Sequence, residues 1–149
     1  MKIAVLGSGS WGTALAVLLA KKDYSVYLWG LPEEAELLSR DRENMRYLPG
    51  VTFPGALNPT SEIDEALGGA DAVVMAVPSK ATRSVLASVR GKISRDVVLI
   101  HVGKGLESST GLRGSEVIGQ ELGEEIGSKC VALSGPNLAV ELAKEVPTA

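Results

Sequence analysis

Three glycines stand two and three residues apart in GSGSWGT, Gly7 to Thr13. Their GxGxxG spacing suits the binding of a pyrophosphate. The first glycine permits a tight turn, the second lets backbone approach the phosphates, and the third lets a helix lie close against a strand. The first amides of that helix then face the negative charge. Gly7, Gly9 and Gly12 are therefore candidate dinucleotide contacts. Ser10 can donate to phosphate or cap the helix. Trp11 can cover the nucleotide or pack on the domain.

Two later stretches carry chemistry of the same kind. Lys104 sits between glycines in VGKG, Val102 to Gly105, where a cation can meet a phosphate or a substrate oxygen. In SGPN, Ser134 to Asn137, Gly135 allows close backbone approach. Asn137 either caps the next helix or turns its amide to a ligand. Pro78, in VPS at Val77 to Ser79, ends a strand and can direct the backbone toward a ligand crevice. His101, within an apolar run, reads as a core or rim histidine ahead of a proton-transfer group. Cys130 reads as a small buried hydrophobe. No spacing of His, Cys and carboxylates makes a metal site.

The elements that must position these residues alternate. KIAVL, Lys2 to Leu6, is an apolar strand ending at the glycine turn, and an Ala/Leu-rich helix follows from Trp11 to Lys22. SVYLW, Ser25 to Trp29, is a second strand. Helices are predicted over Pro32 to Asn44, Ser61 to Leu67, Ala81 to Val89, Gly111 to Gly123 and Asn137 to Lys144. Strands are predicted over Asp71 to Pro78, Asp96 to Val102 and Lys129 to Leu133. This is the order of an α/β, Rossmann-like, open and mostly parallel sheet with helices on both faces. Several strand ends would then share one crevice.

The choice of cofactor turns on the end of the second strand, where an acidic residue takes the ribose hydroxyls of NAD and a basic group suits the 2′-phosphate of NADP. Here the strand runs into Gly30-Leu31-Pro32, and Glu33 and Glu34 come a turn late. Arg40, Arg42 and Arg46 either fold back toward a 2′-phosphate or remain on the surface. With no basic residue at the strand end, NAD is favoured over NADP.

The chain has 149 residues, about one domain's worth, with 45% hydrophobic and 22% charged residues. A net charge of −3 gives no field for a nucleic-acid backbone. The single cysteine excludes an intrachain disulfide and fits a reducing compartment. The start is too short and too interrupted for a signal peptide or a membrane span, so a cytoplasmic protein is expected. The abrupt VPTA ending leads us to expect that residues 1–149 are an NAD(P)-binding domain cut from a two-domain enzyme.

GSGSWGTALA, NMRYLPG, AVPS, KGLE, SEVI and SGPNLAVELA occur in an order that resembles bacterial-type NAD(P)-dependent glycerol-3-phosphate dehydrogenase over essentially the whole chain. The resemblance implies reversible hydride transfer between NAD(P) and sn-glycerol 3-phosphate or dihydroxyacetone phosphate, serving phospholipid precursor synthesis. It places Ser10, Trp11 and Ala139 at cofactor contacts, Gly135 and Asn137 at substrate contacts, and Lys104 at both. It also implies a helical C-terminal domain, absent from this chain, that supplies the main catalytic lysine. The isolated chain is then expected to bind cofactor with little or no turnover. A homodimer of the full-length protein stays open. Two departures bear on specificity: Leu31 replaces a common arginine, and SGPNLA replaces an SGPSFA-like block. Alternatives are a stand-alone dinucleotide sensor or a dehydrogenase of another small hydroxy compound.

Overall fold

The computed structural model describes residues 1–147; Thr148 and Ala149, the end of the VPTA segment, lie outside the described residues. Six strands, β1 (Lys2–Leu6), β2 (Ser25–Trp29), β5 (Leu57–Thr60), β6 (Ala72–Met75), β7 (Val98–His101) and β8 (Val131–Ala132), form one sheet in the order β5-β2-β1-β6-β7-β8. Every neighbouring pair in it is parallel. The strands run outward in both directions from β1, so the order reverses between β1 and β6. Ligands bind at such a switch point in open α/β sheets, beyond the carboxyl ends of the strands.

Strand periodicity explains the two-sided core. Ile3 and Val5 face one layer with Val26, Leu28, Val74 and the α1 (Ser10–Lys21) residues Ala16, Val17 and Ala20. Ala4 and Leu6 face the other with Val73, Met75 and Leu99. That second layer is closed by α3 (Ile63–Leu67), α4 (Ser79–Ser88) and α5 (Gly114–Leu122), through Ala66, Leu67, Leu86, Val117 and Ile118. A strand buried on both faces needs a continuous apolar run, which KIAVL and AVVM supply.

Agreement with the sequence is tightest here: β1 and β2 have the predicted bounds, and each end of α1 lies within a residue of its own. The passage between β2 and β6 differs. Helix α2 (Pro32–Asp41) stops three residues before Asn44, where Arg42 takes a left-handed cap with φ 53°. Its guanidinium then donates to the carbonyls of Leu57 and Pro54. The chain continues into a small antiparallel pair, β3 (Glu43–Asn44) and β4 (Leu48–Thr52), and then β5. Pro59 counts against a strand in sequence, yet β5 lies at the sheet edge, where a missing N–H is tolerated. An additional short helix, α6 (Glu124–Lys129), precedes β8, and α7 (Ala139–Ala143) packs on α1.

Candidate functional site

A cleft of about 690 Å³ opens where the loops after β1, β2, β6 and β7 meet. Backbone hydrogen bonds fix those loops to one another. The Gly7 amide donates to the Trp29 carbonyl at 2.9 Å, Ala76 to Leu6 at 2.8 Å, and Val102 to Met75 at 3.1 Å. Both tryptophans of the chain, Trp11 and Trp29, line the cleft.

The three glycines have different physical reasons. Gly7 takes φ +119°, and a Cβ there would lie 2.7 Å from the Ala76 carbonyl oxygen. A Cβ on Gly12 would collide with the Gly7 carbonyl, so this glycine seats α1 against the turn. Gly9 has an ordinary extended backbone, φ −69° and ψ −180°, and a Cβ there meets nothing within 4 Å. The protein's own packing therefore makes no demand for glycine at position 9. A bare backbone at that position leaves the approach open to the first amides of α1, which have no partner within the helix. These residues fit a dinucleotide pyrophosphate.

Ser8, between the first two glycines, is the hub of a buried network. Its carbonyl accepts from the Asn44 amide at 2.8 Å and from the Thr13 hydroxyl at 3.2 Å, and its own hydroxyl donates to Glu34 at 2.6 Å. Asn44 also donates to Thr13 and accepts from the Tyr47 amide. One buried side chain thus ties the NMRYLPG segment to the glycine turn and holds Tyr47 at the cleft. None of Asn44, Ser8 and Tyr47 stands out as a site residue in the sequence. The signal for Asn44 was a polar residue beside a short chain reversal, which reads equally well as a plain turn.

Gly7, Gly9, Ser10, Trp11, Pro78 and Lys104 all line the cleft, with Gly12 behind the turn. Pro78 is the residue immediately before α4. The exposed Lys104 ammonium lies 5.8 Å from the centre of the Trp11 ring and donates to the Asn137 carbonyl at 3.4 Å. Gly135, Asn137 and Ala139 are not part of the cleft wall. Gly135 has φ +156°, and a Cβ there would sit 2.8 Å from the Asn137 amide nitrogen. Ala139 opens α7 and packs toward α1.

The loop bearing Lys104 is anchored at its far end by charge. Arg83 of α4 donates to both oxygens of Glu107 at 2.9 and 2.8 Å, and to Glu121 of α5 at 2.7 Å. Thr110 donates to Glu107 as well. With Arg83 and Thr110 beside it, the Glu107 carboxyl is held down at about 2. The His101 ring packs against Gly103 and Gly114, and burial lowers its pKa below the ordinary value. Burial raises the Cys130 thiol. Among the described residues, no group of three or more His, Cys, Asp or Glu side chains is placed to hold a metal ion. No helix among them is long and apolar enough to cross a membrane.

The switch-point cleft, the glycine turn and the α1 terminus define a dinucleotide-binding domain of the Rossmann type. A family model described as the N-terminus of NAD-dependent glycerol-3-phosphate dehydrogenase matches residues 2–149. The chain belongs to that family. Glycerol-3-phosphate dehydrogenase [NAD(P)+] of Syntrophomonas wolfei is 47% identical over 99% of this chain and 43% of its own length, and that of Chlorobium limicola is 49% identical over 99% and 45%. The crystal structure of glycerol-3-phosphate dehydrogenase from Coxiella burnetii superposes with a TM-score of 0.89 at 34% identity, over 99% of this chain and 44% of that one. Glycerol-3-phosphate dehydrogenase from Saccharomyces cerevisiae gives 0.84 at 30%, over 97% and 44%. The chain spans less than half the length of these relatives. It corresponds to the N-terminal, dinucleotide-binding part of an NAD(P)-dependent oxidoreductase family.

Proposed function

We propose that this chain is the cofactor-holding half of an enzyme that transfers hydride reversibly between NAD(P) and sn-glycerol 3-phosphate or dihydroxyacetone phosphate. The observation that carries the reading is Gly9: open space around its missing Cβ, at the start of α1, within a chain matched end to end by the family model. When bound, the nicotinamide accepts or returns the hydride. The α1 amides and Ser10 hold the pyrophosphate, Trp11 covers it, and Pro78 shapes the opposite wall. Lys104 places a positive charge where cofactor and phosphorylated substrate meet, and can steady an anionic oxygen. Gly135 and Asn137, joined to Lys104 through the Asn137 carbonyl, border the substrate. The main proton-transferring lysine belongs to a helical domain beyond these residues, so this chain alone binds cofactor with little or no turnover. NAD is preferred over NADP, since Leu31 offers no charge to a 2′-phosphate.

Calorimetric titration with NADH and NADPH tests this reading, alongside a Gly9→Asp variant whose folding is checked by circular dichroism. Saturable binding by the parent and its loss in a folded variant are expected. Failure of the parent to bind either dinucleotide would overturn the proposal.

A further inference from the structure

At the end of β2, where a cofactor-selecting charge is expected, the chain carries Gly30. The structure gives the reason. A Cβ on Gly30 would lie 2.5 Å from the Ser8 hydroxyl oxygen, so that position has no room for a side chain. Ser8 takes that space, and a carboxylate from elsewhere stands just beyond it. Glu34, in the first turn of α2, reaches back so that its Oε2 accepts the Ser8 hydroxyl at 2.6 Å and lies 3.6 Å from the Gly30 Cβ position. Glu34 lines the cleft beside Gly30 and Leu31.

From this geometry we infer that Glu34, oriented by Ser8, is the residue that selects NAD over NADP, by accepting the hydroxyls of the adenosine ribose and repelling a 2′-phosphate. The inference rests on the dinucleotide reading of the cleft. One carboxylate oxygen is committed to Ser8, whose carbonyl is itself fixed by Asn44 and Thr13, so the carboxylate has a set direction. The other, Oε1, faces the Arg46 guanidinium at 3.9 Å, too long for a hydrogen bond, and remains able to accept from a ribose hydroxyl. A phosphate on that same hydroxyl would bring two like charges together, and discrimination built on repulsion follows.

Arg46 sharpens the assignment. Its guanidinium lies over the Tyr47 ring at 4.9 Å from the centre and is the cation nearest this carboxylate. While Glu34 is charged, Arg46 is balanced by it. Once Glu34 is neutralised, Arg46 becomes a partner for the 2′-phosphate. One carboxylate therefore controls both terms of the preference.

The test is calorimetry with NADH and NADPH on the 149-residue chain and three variants. In Glu34→Gln, which keeps an acceptor for Ser8, NADH affinity falls by about tenfold to a hundredfold, the range for a hydrogen bond to a charged group. NADPH affinity holds or rises, so the preference shrinks or inverts. Adding Arg46→Ala to Glu34→Gln removes any gain in NADPH affinity. Glu33→Gln, the same charge change on an exposed neighbour, leaves the ratio unaltered. An unchanged NADH/NADPH ratio in a folded, binding-competent Glu34→Gln, or an equal shift in Glu33→Gln, overturns the inference and leaves the dinucleotide reading standing. A parent chain that binds neither nucleotide overturns both.

Discussion

The two sides of the cleft are built from different materials. The wall formed by β1, α1 and β2 rests on fully buried apolar side chains, Val5, Val17 and Leu28 among them, and its turn is fixed by backbone and buried-amide hydrogen bonds. Residues beyond β7 lie on a thinner base. The two-residue edge strand β8 is exposed, as are Leu133, Leu138 and Val140, and the Lys104 loop is tied down by the Arg83 ion pairs. The difference teaches that the proposed cofactor wall is shaped by the core itself. The proposed substrate wall is held by surface charge and short elements.

Three changes would break or sharpen this contrast. Truncating the cofactor wall's foundation has the largest effect: Leu28→Ala is expected to cost about 2–5 kcal/mol in urea denaturation. The same truncation at Leu138, which is 60% exposed, should stay within about 0.5 kcal/mol. Equal costs would erase the distinction.

The second change acts through acid. Because Glu107 is held at about 2, its ion pair stabilises the fold fully above the ordinary carboxylate range. That contribution is lost as pH falls from about 4.5 toward about 2. His101, lowered by burial, has the same sign in a higher window: its contribution begins to fade as pH drops below the ordinary histidine value near 6.5. Arg83→Ala should lower stability at neutral pH and flatten the lower window while leaving the upper one. Urea midpoints between pH 7 and pH 2 separate the two. Smallest is Lys104→Ala, expected to change stability by less than about 0.5 kcal/mol, since this exposed side chain carries no core packing. A larger loss would mean that the loop depends on its lysine.

The contrast also tracks what could be read from the sequence. KIAVL was legible because two-sided burial leaves a continuous apolar signature, SVYLW because β-branched and aromatic residues suit a strand, and the glycines because the turn admits few alternatives. β5 was hidden by Pro59, which only the edge position permits. The short β3–β4 pair was hidden because its pairing depends on where α2 stops, and Arg42 ends α2 with a left-handed cap that no local pattern announced. Glu34 was noted but judged out of place. Sequence distance from the strand end mattered less than the path of its side chain, which a helix turn returns to Ser8.

Trp11 and Trp29 stand on either side of the glycine turn, and the chain has no third indole. Its indole emission, excited on the red edge where the three tyrosines do not absorb, therefore originates wholly at the proposed cofactor wall. Any event there, from the arrival of an absorbing nicotinamide ring to movement of the Lys104 ammonium over Trp11, would register in that indole emission without a label.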